Sequence, residues 1–290
     1  MESKKIFITG ATGNIGRAVI KHLLRQELPV MVTAGVRNVE KARSTFEEND
    51  QLSFRQFDFE APFTYKDSLK GYDVIFLLRP PHISKVDVFI PLMKAIKSAG
   101  IDEIVFLSVQ GAEKSKIIPH NKIERLIKQC EIPYIFVRPS YFMQNLTTTL
   151  HQEIKNKRSI TLPSGNAKFN WVDIEDIAAC TAQLILHFQK NKNQALEITG
   201  NENESFGKVV ALINEVVENK LTYHPVGPFR FYRLKKQEGM QKGFIMVMLL
   251  LHYLPRFQKE PTISGNVKML TGKEPTTLEA FVKREKELFS

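Results

Sequence analysis

The run Ile6-Phe7-Ile8-Thr9-Gly10-Ala11-Thr12-Gly13-Asn14-Ile15-Gly16-Arg17-Ala18-Val19 constrains the fold more than any other stretch of the chain. A short apolar segment ends in a glycine-rich turn, and the turn opens directly into an amphipathic helical pattern. Gly10 permits a tight strand-to-helix turn, Gly13 lets the backbone approach a bound group, and Gly16 lets the helix pack closely on a sheet. An anion is favoured at the N-terminus of such a helix, where unpaired N–H groups and the positive end of the helix dipole converge. The spacing G-x-x-G-x-x-G is one residue longer between the first two glycines than the usual dinucleotide fingerprint. Strand, turn and helix nevertheless follow in the required order, which makes this turn a pyrophosphate site rather than three chance glycines.

The rest of the first half repeats this alternation. Strand-like runs cover residues 5–9, 30–36, 52–57, 74–78, 104–109 and 134–138. Helical patterns lie between them at 15–26, 39–47, 86–99 and 122–129, with a short turn at 65–69. Six strands separated by helical crossovers predict an α/β fold with a Rossmann-type, doubly wound parallel sheet. The unbroken apolar run Val74-Ile75-Phe76-Leu77-Leu78 fits a strand covered on both faces. Further on, a helix over 175–187, a strand over 195–199, a helix over 206–217 capped by the Glu204-Ser205 turn, and a last helix over 278–288 are predicted. The expected organisation is a dinucleotide-binding body over residues 1–200 and a small, mainly helical C-terminal lobe over 201–290, its last helix able to pack back on the body. Ligands of such a sheet bind at the C-terminal ends of its strands. The run Phe244-Ile245-Met246-Val247-Met248-Leu249-Leu250-Leu251 is apolar all round, which suits either core burial or an adaptable surface for a flat aromatic molecule.

Composition narrows the function classes. The formal net charge of +10 raises nucleic acid and acidic membrane surfaces as partners, but the basic residues run along the whole chain beside acidic or aromatic neighbours, so no membrane partner is expected. Without a basic stripe in a recognised motif, nucleic-acid binding is not expected. No apolar run approaches a membrane span, and the first strand begins too early for a signal peptide. The two cysteines, Cys130 and Cys180, show no C-x-x-C pairing and read as buried thiols of a reduced, cytoplasmic setting. The histidines are scattered, so no metal site is expected.

The second strand decides which dinucleotide fits. It ends Val36-Arg37-Asn38 with no acid before Glu40. A carboxylate there would bond a ribose 2′-hydroxyl, whereas an arginine fork suits a 2′-phosphate. NADPH is therefore expected, with Arg37 at the 2′-phosphate; a solvated surface arginine is the plain alternative. Asp58, next to Phe59, either accepts a bond from the adenine amino group or caps its own turn. Leu78 and Arg79, before Pro80-Pro81, either wall the adenosine or belong to a punctuating loop. The cofactor contacts expected on the body are Gly10, Thr12, Gly13, Asn14, Ile15, Gly16, Arg37, Asp58, Phe59, Leu78, Arg79 and Ser108.

The Gly10–Gly16 turn, Val36-Arg37-Asn38 with Glu40-Lys41-Ala42, and His120 through Glu124 together resemble the NmrA-like, atypical short-chain dehydrogenase family. So do Ile132-Pro133-Tyr134 to Arg138-Pro139, Phe142-Met143-Gln144-Asn145, Phe169 through Ala178, and Leu270-Thr271-Gly272-Lys273-Glu274-Pro275. The resemblance spans nearly the whole chain and implies an NADPH-dependent oxidoreductase acting on quinones, triphenylmethane or azo dyes, or similar conjugated acceptors. It equally admits a non-catalytic NAD(P)-sensing regulator, which the family also contains. By resemblance, Lys122 lies near the nicotinamide ribose, His120 orients the substrate, and Tyr141 and Phe142 lie along the nicotinamide. These three catalytic candidates, His120, Lys122 and Tyr141, could also be ordinary first-turn or packing residues. Asp173 and Asp176 read as loop-fixing and helix-capping groups. The Tyr-x-x-x-Lys pair of better-known relatives is missing after the fifth strand. Its only occurrence, Tyr232 to Lys236, falls in the C-terminal lobe and reads as coincidence. A small aromatic or quinone-like substrate and a monomer or homodimer complete the expectation.

Overall fold

The computed structural model describes residues 3–116 and 118–290. Strands β1 (Lys4–Ile8), β2 (Val30–Val36), β3 (Leu52–Gln56), β4 (Val74–Leu78), β5 (Glu103–Leu107) and β6 (Tyr134–Pro139) match the expected runs to within two residues at either end. With the strand Gln194–Ile198 they form a seven-stranded sheet in the order Gln194–Ile198, β6, β5, β4, β1, β2, β3. Every neighbouring pair is parallel. The strand order reverses beside β1, between β2 and β4, so the crevice for a ligand opens at the C-terminal end of β1. Thr9 stitches that point together: its buried hydroxyl accepts the Leu78 N–H at 2.8 Å.

The chain forms two compact units, which interleave along the sequence where a single boundary near residue 200 is expected. The first comprises Met1–Pro139, Ile174–Ile198 and Asn266–Lys273; the second comprises Ser140–Asp173, Thr199–Gly265 and Glu274–Ser290. In the first unit, the helix Asn14–Leu24 buries Ile15, Val19, Ile20 and Leu23 and packs against the helix Ile174–Leu186. On the sheet, Phe7, Phe57, Phe59, Phe89, Phe106 and Phe136 build one aromatic-rich core.

The second unit is mainly helical, as expected, with short strands added. Lys168–Val172 pairs with Tyr141–Phe142 in parallel and with Asn203–Ser205 antiparallel, and Ser159–Leu162 pairs with Thr222–Pro225 in parallel. Helices Phe206–Val216, Pro228–Gln237, Lys242–Tyr253 and Leu278–Arg284 surround a core that includes Trp171, Phe206, Phe231, Phe281 and Phe289. Ser205 caps its helix as expected, accepting the Lys208 N–H. The helix Lys242–Tyr253 contains the all-apolar run but buries only Ile245, Met248 and His252 along one side. Core burial thus accounts for Ile245 and Met248 of that run, with Leu249 packed against them, and its other face is exposed. No helix among the described residues is long and apolar enough to cross a membrane.

The turn after β1 explains its glycines. Gly10 has φ +60°, in the left-handed region, and its carbonyl accepts the Gly13 N–H at 3.0 Å. A Cβ on Gly16 would lie 2.3 Å from the Gly10 oxygen and 2.8 Å from Ala11 Cα, both backbone atoms. Gly16→Ala is therefore expected to destabilise the fold by about 1–3 kcal/mol, as overpacking does. Chemical denaturation should show a lowered midpoint for Gly16→Ala and a smaller change for Gly13→Ala, whose Cβ would sit 3.3 Å from the same oxygen.

Candidate functional site

The C-terminal ends of β1 to β5 gather most of the residues singled out in the sequence. Gly13 is the N-cap of the helix Asn14–Leu24, with no side-chain cap and no acidic residue in the first turn. The first-turn N–H groups are thereby left for an external acceptor, as an anion site requires. Gly10, Thr12, Gly13 and Asn14 are exposed around it, while Ile15 and Gly16 turn inward. Leu78, at the end of β4, lies over Gly10, its Cβ 3.2 Å from where a Gly10 Cβ would stand. A side chain on Gly10 would press on Leu78 and would need the left-handed backbone that Gly10 adopts.

Arg37 follows β2 directly and is exposed. The next residue, Asn38, is occupied in capping the helix Val39–Arg43, accepting the Lys41 N–H at 2.9 Å. Among the described residues Arg37 has no hydrogen bond or ion pair, which leaves its whole guanidinium fork for a phosphate. Asp58, past β3, accepts the Glu60 N–H at 3.0 Å, so one carboxylate oxygen caps its own turn. The Phe59 ring is buried against Phe57 and Phe89 and is committed to the core.

Arg79 is held by its own loop. Its Nη1 donates to the carbonyls of Pro80, Pro81 and Ile83 at 3.0, 3.1 and 2.7 Å. Its Nε points at His120 Nε2 across a long 3.5 Å contact. Burial, and then the Arg79 charge, push His120 down to a pKa of about 3. His120 is thus neutral at pH 7, with its proton on Nδ1 because Nε2 accepts from Arg79. It can donate a hydrogen bond from Nδ1 but cannot serve as an imidazolium acid. Lys122, two residues on, is exposed. The helix carrying both, Pro119–Gln129, starts earlier than its apolar pattern shows because Pro119 occupies its first turn.

Ser108, after β5, has its hydroxyl committed inside the protein, donating to Glu124 Oε1 at 2.6 Å. Glu124 also receives Arg138 through two bonds, Nε to Oε1 at 2.9 Å and Nη2 to Oε2 at 2.7 Å. Arg138 reaches Glu113 as well, at 2.6 Å. Glu124 and Arg138 are both buried. This network ties the helix of His120 and Lys122 to the ends of β5 and β6, so it positions that helix. Sequence reading included Glu124 and Arg138 only as members of longer motifs; a buried-spacing glutamate on an amphipathic helix was the available signal.

Tyr141 and Phe142 belong to the second unit, where both are half-buried. The Tyr141 ring is enclosed by Phe169, Trp171, Phe206 and His252, with centroids 4.9–5.9 Å away. Its oxygen lies 2.9 Å from His252 Nε2, and His252 Nδ1 lies 2.8 Å from the Met248 carbonyl. That carbonyl can only accept, so Nδ1 carries the proton and Tyr141 donates to Nε2. Burial lowers His252 to a pKa of about 4 and raises that of the Tyr141 phenol, so both are neutral. Asp173 is fully buried, accepting Gln144 Nε2 at 2.6 Å and pairing with Arg284 at 2.7 Å, a structural clasp. Tyr232 and Lys236 lie on the helix Pro228–Gln237 of this unit, whereas the helix after β5 belongs to the first.

Cys180 is buried and its thiol is pushed up to about 12 by burial and then by Asp176; Cys130 is half-buried and raised chiefly by burial. Among the described residues no three His, Cys, Asp or Glu side chains are grouped to hold a metal ion.

These features define a Rossmann-type dinucleotide-binding fold with an anion cradle at its switch point. The chain belongs to the NmrA-like family, whose model matches residues 2–282. It is similar to prestalk A differentiation protein A of Dictyostelium discoideum, 27% identical over 96% of this chain and 91% of that protein. It is 26% identical to an NAD(P)H azoreductase of Xenophilus azovorans, over 98% of this chain and 99% of that one. Among solved structures, the NADPH-dependent quinone oxidoreductase of Escherichia coli complexed with NADPH superposes with a TM-score of 0.83 at 20% identity, covering 96% and 99% of the two chains.

Two outcomes check this site. Removing one partner of the Glu124–Arg138 pair strands a buried charge and should cost about 3–5 kcal/mol. In urea denaturation, Glu124→Met and Arg138→Met should each lose this much and the double variant should recover most of it; additive losses would remove the pair from its anchoring role. The second concerns pH. Because His120 is depressed to about 3, the unfolded chain takes up a proton near pH 6.5 that the folded chain refuses. Its burial therefore favours folding progressively less as pH falls from about 6.5 toward 3. In NMR titration the His120 ring signals should stay at neutral-form positions down to about pH 5. In Arg79→Gln its pKa should rise, while staying below the ordinary value because burial is the larger cause.

Proposed function

We propose that this protein is an NADPH-dependent reductase whose acceptor is a quinone or a comparably flat, conjugated molecule. The observation that carries the reading is the pairing, in one unit, of the Gly10–Gly16 cradle with an uncommitted Arg37 and no carboxylate at the end of β2. NADPH, when bound, supplies a hydride. The chain's own residues bind and orient. The N–H groups at the start of the helix Asn14–Leu24 hold the pyrophosphate, with Thr12 and Asn14 beside it. Arg37 holds the 2′-phosphate, Leu78 and the Arg79 loop wall the nucleoside, and Asp58 keeps one carboxylate oxygen for the adenine amino group. Lys122 meets the nicotinamide ribose, and the His120 Nδ1–H orients the acceptor. Tyr141 and Phe142, which the family resemblance puts along the nicotinamide, belong to the second unit, and the reading of the first unit does not depend on them.

The protonation states support an acceptor of this class. Neither His120 nor the Tyr141–His252 pair is charged near neutral pH, and the first unit offers no Tyr-x-x-x-Lys pair to lower a phenol's pKa. A reduced quinone or dye delocalises its negative charge and takes its proton from water, so positioning supplies most of the acceleration. The azoreductase and quinone oxidoreductase relatives support the same class of acceptor. The same lack of a dedicated acid favours a second reading, an NAD(P)-responsive regulator without turnover.

Cofactor titration and turnover separate the two. Fluorescence titration should show tighter binding of NADPH than NADH by roughly ten- to 150-fold, the worth of a charge-assisted phosphate bond. Arg37→Asp should erase that preference. NADPH oxidation should proceed with quinones or dyes in the wild type and in Tyr232→Phe, and fall in His120→Ala and Lys122→Ala. Tight NADPH binding with no oxidation by any quinone, dye or carbonyl would establish the regulator instead.

A further inference from the structure

The helix Lys242–Tyr253 is apolar on both sides, yet only one side is covered. Phe244, Val247, Leu250, Leu251 and Leu254, spaced three or four apart, form a continuous outer stripe that is 43–56% exposed. Phe257, just beyond it, is 71% exposed, and Phe229, on the helix Pro228–Gln237 that packs beside it, is 91% exposed. An exposed apolar stripe of this length marks a docking face.

The charge on the same segment shows what would cover it. Arg230, Arg233, Lys236, Lys242, Arg256 and Lys259 are all exposed, and among the described residues none pairs with a carboxylate. The one acid between residues 228 and 259, Glu238, is neutralised by Lys157 and Lys235. The segment 228–259 that carries the stripe thus holds seven Lys and Arg against one acid, a large share of the net charge of +10.

We propose that this face of the second unit binds the surface of an anionic lipid bilayer, with the stripe shallowly inserted and the six cations at the headgroups. Aliphatic and phenyl groups flanked by Arg and Lys are the pattern of an interfacial element that lies on a membrane without spanning it. Juxtaposed basic residues each strengthen binding to anionic lipid. A second copy of the chain fits poorly, because a two-fold contact would set the same cations against themselves. A nucleic acid would satisfy the cations but leave the stripe in water. The proposal is independent of the reductase reading, although a bilayer is also where apolar quinones dissolve.

Co-sedimentation of the full chain with vesicles tests it. Vesicles of phosphatidylcholine mixed with phosphatidylserine should carry the protein down, and phosphatidylcholine alone should not. Binding should be lost at about 1 M salt, where screening shortens to about 3 Å. Arg230→Glu with Arg233→Glu should lower partitioning at least tenfold, roughly what two basic contacts contribute. Val247→Glu with Leu250→Glu should do likewise, and circular dichroism should show both variants folded, since all four side chains are exposed. The proposal is overturned by absence of binding to either vesicle, by equal binding to both, or by a dimer in solution that Val247→Glu with Leu250→Glu dissociates.

Discussion

The approach of one helix to one strand organises the first unit. With hydrogen alone on Gly16, the helix Asn14–Leu24 starts against the Gly10 carbonyl, at a distance no Cβ could share. That approach brings the start of the helix to the end of β1, beside the point where the strand order reverses. It also aims a set of unpaired N–H groups into the crevice. Thr9 secures the neighbouring strand, and Leu78 follows it over Gly10. An open, uncapped helix start at the switch point results from packing, before any side chain specific for a ligand is considered.

Around this cradle the charged groups divide into those spent on architecture and those left over. Glu124, Arg138 and Ser108 satisfy one another where water is excluded, the condition under which buried charge is tolerated. Arg79 is half way: its guanidinium organises a loop, while its charge adds to the burial that keeps His120 neutral. Arg37 is uncommitted. Reading which cations are already occupied is more informative here than counting them.

Legibility in the sequence followed the range of the forces involved. The parallel strands and their crossover helices were readable because continuous apolar runs and helical periodicity are local signals. The switch-point cradle was readable for the same reason. The pairing of Tyr141–Phe142 with Lys168–Val172, and of Ser159–Leu162 with Thr222–Pro225, was not, since such short strands carry no period. Interleaving of the units was hidden too, because nothing local marks Pro139 or Asp173 as crossing points. At the site, Ser108 and Phe59 read as ligand contacts from their places after strands. Their side chains turn out to serve Glu124 and the aromatic core, partners distant in sequence. The exposed face of the helix Lys242–Tyr253 was invisible for a different reason: an all-apolar run states what it contains, not which half is covered.

The two thiols carry a chemical consequence. Electrophiles such as quinones arylate cysteine by conjugate addition, and the attacking species is the thiolate. Cys180 is buried with its pKa near 12, and Cys130 is raised as well, so at neutral pH both persist as thiols. A chain with these two cysteines and no others presents almost no nucleophilic sulfur. Conjugate addition to sulfur is thereby slowed at both positions.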